Sequence, residues 1–192
     1  MASRNGNGSD SENICLACGL CCNGAIFDDV KLQPGDDASR FQALGVGLTE
    51  ARPQRDELAQ NQSGLSPSRL RTASFPQPCA AFDGCRCQIY AERPKHCRQF
   101  ECLLLQRVQS GKCQKPVALD LIRKTREQAD KVWRLLRELG DTDEHLALKS
   151  RFERTARRME ASGCDDETAL LYSELTLAVH DLNLVLSESF YR

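Results

Sequence analysis

The sequence predicts an α+β protein: a small, irregular, cysteine-organised region with a short β-hairpin, followed by an antiparallel α-helical bundle. Three observations carry this. Nine of the eleven cysteines fall in two short clusters, Cys15-xx-Cys18-xx-Cys21-Cys22 and five more between Cys79 and Cys102. Asp83-Gly84 lies inside the second cluster and is a two-residue hairpin signal, since both residue types tolerate positive φ. Beyond Pro116 apolar residues recur by fours and threes, the period of a helix face.

In chain order, residues 1–12 are polar and rich in Gly, Asn and Ser, and read as disordered. After the first cluster, Ala25–Phe27 and Val30–Leu32 read as a short strand pair or one interrupted strand, ended by Pro34-Gly35. Phe41–Leu48 suggests a helical turn with an irregular exit at Gly45 and Gly47. Residues 51–74, rich in Gln, Ser, Arg and Pro, read as a long mobile loop. A hairpin from about Cys79 to Tyr90 would bring Cys79 close to Cys85 or Cys87. Pro94 can begin a helix, because its missing N–H is not needed there. Cys97 and Cys102 would stand about 140° apart on a regular helix, so either that helix is interrupted or the two serve different positions. Leu103–Leu105 and Val108 continue helically to Gly111.

The last third predicts three helices. Ala118, Ile122, Thr125, Ala129, Val132, Leu136 and Leu139 form the inner stripe of the first, ended by Gly140. Asp141 or Thr142 could cap the second, with Leu148, Phe152, Thr155 and Met159 inward. Asp165 or Asp166 could cap the third, with Leu171, Leu175, Ala178, Leu182 and Val185 inward. Short connections at Gly140 and Gly163 imply antiparallel neighbours, and the stripes read as packing rather than as a cofactor box. The expected division is a domain at 13–111 and a bundle at 115–190.

Composition narrows the function. A formal net charge of −1 gives no global attraction to nucleic acid. No apolar run approaches a membrane span and the N-terminus lacks a secretory h-region, so the expected compartment is the reducing cytoplasm, where disulfides do not persist. Aromatic content is 6%, low for a core built from packing alone. Metal-binding free energy can replace missing core. Thiolates are soft anionic ligands, and pairs two residues apart can chelate one ion, so the clusters read as one metal-organised region.

Four thiolates suit zinc and iron–sulfur alike. Cys15-xx-Cys18-xx-Cys21 has the spacing of the first three ligands of a bacterial ferredoxin-type cluster with a remote fourth, and CxxC is equally at home in zinc sites. His96 could be a ligand, though an exposed histidine in a turn is the blander reading. Arg93 and Arg98 could donate to anionic thiolates or form ordinary surface ion pairs. Tyr90 and Phe100 read as covering residues, and Cys113, Cys164, His145 and His180 carry no assigned role. Arg151, Arg154, Arg157 and Arg158 form a basic strip, but Glu153 and Glu160 interleave and point to a solvated face. The helices could bind a protein partner, and the stripe on the 115–140 helix would allow a dimer. No phosphate loop, dinucleotide fingerprint or GxSxG occurs.

CxxCxxCC at Cys15–Cys22, Cys79, Cys87-Gln88-Ile89-Tyr90, Arg93-Pro94 and Cys97-Arg98-Gln99-Phe100-Glu101-Cys102 together resemble the YkgJ-like cysteine cluster proteins, the CxxCxxCC family described as chelating zinc or iron. The resemblance covers roughly residues 13–105 and leaves the helical tail outside. It implies a metal or iron–sulfur site on Cys15, Cys18, Cys21, Cys22, Cys79, Cys87, Cys97 and Cys102, enough for two four-thiolate sites or for one cluster with supporting thiols. Cys85 lies outside the pattern and competes with Cys87 as ligand, and adjacent Cys21 and Cys22 are unsuited to the same ion. Related domains occur in lysine methylases acting on flagellin. That leaves a redox or group-transfer enzyme as the alternative to a chelating module, although no further segment of this chain is assignable to a methyl donor.

Overall fold

The computed structural model describes residues 14–43, 45–50, 73–162 and 165–191, and its fold is mixed α+β with a helical C-terminal region. Residues 14–18 are helical (α1), and Gly19, at φ 67°, turns the chain so that the amides of Cys22 and Asn23 bond its carbonyl at 2.9 Å each. The expectations for residues 1–12, for most of the 51–74 loop and for Gly163 and Cys164 lie outside the described residues.

Three short strands follow: β1 (Asp29–Lys31), β2 (Thr49–Glu50) and β3 (Ala73–Pro76). They form an antiparallel sheet in the order β1-β3-β2, with Val30 opposite Phe75 and Thr49 opposite Ser74. Ala25–Phe27 does not pair with β1 as expected. Asn23 Oδ1 accepts the Ala25 amide at 3.0 Å and Ile26 bonds back to Leu20, so this stretch curls onto the first cluster. The partner of β1 comes instead from β3, whose first two residues, Ala73 and Ser74, fall in the stretch read as loop. Val30, Phe75, Phe41 of helix α2 (Ala38–Ala43) and Val46 make a small core on this sheet.

The second cluster is less regular than a hairpin. It makes one antiparallel bridge, Phe82 to Cys87, around a turn in which Asp83 Oδ1 accepts the amides of Cys85 and Arg86 at 2.7 Å each. Gly84 takes φ 92° there. A 3₁₀ turn (Tyr90–Glu92) leads to α3 (Lys95–Gln99), which starts directly after Pro94. The helix is indeed interrupted between Cys97 and Cys102: α4 (Leu103–Gln109) is a new helix with Cys102 at its N-cap.

Helix α5 (Lys115–Glu138) buries the anticipated Ala118, Ile122, Thr125, Ala129, Val132 and Leu136 and also Leu135, while Leu139 is buried as its C-cap. Helix α7 (Asp166–Ser189) is capped by Asp165, whose Oδ1 accepts the Thr168 amide at 2.8 Å, and buries Leu175, Ala178, Leu182 and Leu186. Lys131 reaches Glu174, near the start of α7, at 2.9 Å, while Ile122, nearer the start of α5, borders the same cavity as Phe190 just past the end of α7, so α7 runs antiparallel to α5. The α5 stripe is therefore covered by α7 and is not open to a second copy; the exposed leucines, Leu170, Leu177 and Leu184, lie on the far side of α7. Contrary to the expectation that no segment approaches a membrane span, α7 is long and apolar enough by length and composition, with a mean hydropathy of 1.2. One face of it packs into the helical core, with Leu175 and Leu182 fully buried, while 28% of that apolar stretch is buried in all.

Helix α6 (Leu148–Ser162) begins later than a cap at Asp141 or Thr142 would place it. Asp141 is buried and accepts from Arg151 Nε at 2.5 Å. Arg158 donates to the Leu139 carbonyl at 2.6 Å and Arg154 pairs with Asp143 at 2.8 Å. Three of the four arginines read as a solvated strip thus clamp α6 to the segment that precedes it.

The helical core also takes in Ile14 and Leu20 of the first cluster and Leu104 and Leu105 of α4. Cys15, Cys18 and Cys102 pack on this core, whereas Cys22, Cys87 and Cys97 pack on the sheet core, which contains Cys79.

Candidate metal centre

The two cores meet at a cavity of about 300 Å³, and all eight cysteines Cys15, Cys18, Cys21, Cys22, Cys79, Cys87, Cys97 and Cys102 line it. Four stretches deliver them: α1 and the turn after it, the 79–87 loop, α3, and the N-cap of α4. Cys85 is exposed and does not line the cavity, so of the competing pair only Cys87 faces it. Cys113 stays outside as well.

The cavity is built by close approaches between the clusters. A Cβ on Gly19 would stand 2.7 Å from the Phe82 ring, so this turn admits no side chain without movement. The Cys79 amide bonds the Cys22 carbonyl at 2.8 Å. Arg126 of α5 donates to the Ala17 carbonyl at 3.2 Å and to the Gly84 carbonyl at 2.9 Å, holding both loops to the helical half. Phe27 meets Phe100 edge-on at 4.7 Å and His96 at 5.1 Å. His96 is therefore half-buried against an aromatic ring rather than exposed in a turn, and it does not line the cavity. Phe190 and Ile122 of the helical half close the cavity's inner side.

Burial governs the thiols. It pushes Cys18 and Cys97 up to about 12, Cys21 well above the ordinary thiol value, and Cys15, Cys79 and Cys102 up, because a thiolate loses its hydration inside. Charges on neighbouring sulfurs push the same way; for Cys97 these are Cys79 and Cys87. At Cys102 the amides of Leu105 and Leu104 oppose the rise, the former at 3.4 Å from Sγ. Cys22 and Cys87 share one hydrogen bond, which raises Cys22 and holds Cys87 below the usual thiol range as the acceptor.

Both flanking arginines line the cavity, and Arg93 is the one that acts on the sulfurs. It stacks 3.7 Å from the Tyr90 ring centroid, donates to the Tyr90 carbonyl at 3.0 Å, and favours the anionic form of Cys15, Cys87 and Cys97. Arg98 is drawn toward Asp36 at 3.9 Å. Tyr90 hydrogen-bonds Cys15 and is pushed up to about 12, by burial first. Gln77, 1% exposed, lines the cavity, and its Oε1 has no partner among the described residues.

Among the described residues no three His, Cys, Asp or Glu side chains already converge as one coordination shell. The sulfurs ring the cavity, and closing on an ion requires side-chain rotation. The donor set nevertheless fits a thiophilic metal: soft sulfur donors, partly buried, whose anionic forms need a compensating cation.

Sequence reasoning identified the sulfurs but missed Gly19, Arg126, Gln77 and Phe190. Gly19, directly after CxxC, carried a readable signal for a tight turn; the other three depend on contacts between segments far apart in the chain.

A family model, CxxCxxCC, described as "Putative zinc- or iron-chelating domain", matches residues 14–116, more than half of the 192. No curated protein and no solved structure matches the chain.

Proposed function

The chain belongs to the CxxCxxCC family, and from that premise we propose that it chelates zinc or iron through the eight cavity cysteines. The observation that supports this is their common cavity: eight sulfurs from four stretches line it, and Cys85 and Cys113 do not. Bound there, zinc or iron supplies a cation that offsets thiolate charge and ties the four stretches together. The chain's own residues do the rest. Arg93 balances anionic charge, Tyr90 donates toward Cys15, and Phe190 and Ile122 exclude water. Four thiolates around zinc leave no open position, so a zinc protein of this kind is a structural or chelating module rather than a hydrolytic enzyme.

A second reading, an iron–sulfur redox protein or group-transfer enzyme, for example in protein lysine methylation, is favoured by one placement. Cys102 lines the cavity and packs on the same core as Cys15 and Cys18, as the remote fourth ligand of a ferredoxin-type set would. Elemental analysis and a visible spectrum on protein purified without oxygen separate the two. Zinc without colour is expected for the first; iron and sulfide with absorption that bleaches on reduction establishes the second. Protein without zinc or iron would reject both.

A further inference from the structure

We infer that the eight sulfurs form two separate four-thiolate sites, the first of Cys15, Cys18, Cys21 and Cys102 and the second of Cys22, Cys79, Cys87 and Cys97. This rests on the reading of the cavity as a metal centre and specifies how its ligands are divided.

Packing gives most of the division. Cys15, Cys18 and Cys102 lie against the helical core, and Cys22, Cys79, Cys87 and Cys97 belong to the sheet core, so seven of the eight are sorted by the hydrophobic surface they touch. The charged neighbours of each sulfur repeat the sorting. Cys18 has Cys102 and Cys15; Cys97 has Cys79 and Cys87; Cys22 has Cys87 and Cys79 in addition to adjacent Cys21. Cys21, which packing leaves open, completes the first set as its fourth sulfur, next in the chain to Cys22 of the second, and Cys18, Cys102 and Cys15 weigh on it before Cys97.

A backbone contact agrees: the Cys79 amide bonds the Cys22 carbonyl at 2.8 Å, which brings the chain at two ligands of the second site together, and Cys87 acts on Cys22 as its hydrogen-bond partner. Coordination chemistry accommodates the split: a tetrahedral ion with metal–sulfur distances of about 2.3 Å accepts four thiolates, so eight suffice for two ions. Adjacent residues direct their side chains apart, which lets the Cys21–Cys22 peptide serve two ions and makes it the junction between them. Each site also spans both clusters, three sulfurs from one and one from the other, so neither cluster completes a site alone.

The test uses the full chain, reduced, stripped of metal and reloaded with Zn²⁺ under anaerobic conditions, with bound zinc counted by elemental analysis and native mass spectrometry. Two equivalents are expected in the wild type, one in Cys18→Ser and one in Cys97→Ser. Loading with ¹¹³Cd²⁺ keeps the test valid should a variant fail to fold. The wild type should give two cadmium resonances, each correlated with the β-protons of four cysteines, in the two sets named. One equivalent in the wild type, loss of both ions from each single variant, or a cadmium signal that mixes the sets would overturn the division while leaving the metal centre in place. No zinc or cadmium uptake at all would reject the metal centre itself.

Discussion

Along α5, Ala118, Ile122, Ala129, Val132 and Leu136 are taken out of water with Leu175, Leu182 and Leu186 of α7, hydrocarbon against hydrocarbon. Around the cavity the groups removed from water are Cys18, Cys21 and Cys79, beside Gln77 with its unpartnered oxygen. In the first region burial is its own stabilisation, at about 25 cal/mol per Å² of apolar surface. In the second it opposes the charged form of the residues it encloses, and stability there depends on what is bound. One chain thus carries one core that stands on packing and another that is completed by chemistry.

Metal removal separates the regions most widely. Structural zinc contributes on the order of 10 kcal/mol in small domains. Stripping the reduced protein should therefore release amide protection across residues 79–102, while Val132, Leu135 and Leu136 of α5 stay protected in hydrogen exchange. Residues 14–20 should fall between, because Ile14 and Leu20 are buried in the helical core although Cys15 and Cys18 face the cavity. Equal loss of protection everywhere would mean that the two cores fold as one unit, and the contrast would be gone.

The second largest effect belongs to a buried ion pair in the helical half. Arg151 and Asp141 side chains are each 4% exposed and meet at 2.5 Å. Asp141→Ala leaves an unpaired buried guanidinium and should cost about 3–5 kcal/mol by chemical denaturation. Its effect should be the same in metal-loaded and metal-stripped protein. If the loss appeared only with metal bound, the independence of the two regions would fail.

These two regions also differ in how far they could be read from the residues alone. The α5 and α7 stripes were legible because their pattern is local: helix period, cap and Gly140 stand in one stretch. The eight sulfurs were legible because cysteine is a scarce residue type and its clustering carries information. The buried partner of Asp141 was hidden, since Arg151 sits among Arg154, Glu153 and Arg157 and looks solvated until the turn before α6 folds onto it. Strand β3 was hidden too. Ala73–Pro76 is short, ends on a proline with Pro78 two residues on, and becomes a strand through Val30 and Thr49, 45 and 25 residues from their partners Phe75 and Ser74. The grouping of sulfurs depends on the same kind of distant contact, which explains why spacing supplied the ligands and left their pairing open.

A smaller effect is expected at Gly19. Its φ of 67° alone disfavours a side chain by about 1–2 kcal/mol, and the Phe82 ring lies where the Cβ would be. Gly19→Ala should lower stability by at least that amount and weaken zinc uptake, because the turn carries Cys21 and Cys22 toward the second cluster. Retention of wild-type zinc affinity, measured by competition with a chelator, would show that the approach of Gly19 to Phe82 does not set the cavity's geometry.

The smallest effect is the most specific. Cys85 and Cys87 are two residues apart in a cluster dense enough to make both look like ligands, yet Cys85 is exposed and Cys87 lines the cavity. What residue 85 gives the turn is its amide, which donates to Asp83 Oδ1 at 2.7 Å, and a serine keeps that bond. Cys85→Ser should change stability by no more than about 0.5 kcal/mol and leave bound zinc at the wild-type level, whereas Cys87→Ser should remove one of the four sulfurs of its site and lower metal content. The pair tests the contrast at its finest grain: the same residue type, in the same loop, acts on metal only where the fold turns it away from water. If Cys85→Ser lost metal and Cys87→Ser kept it, the turn would have to present the other sulfur to the cavity, and the antiparallel bridge of Phe82 with Cys87 would have to break.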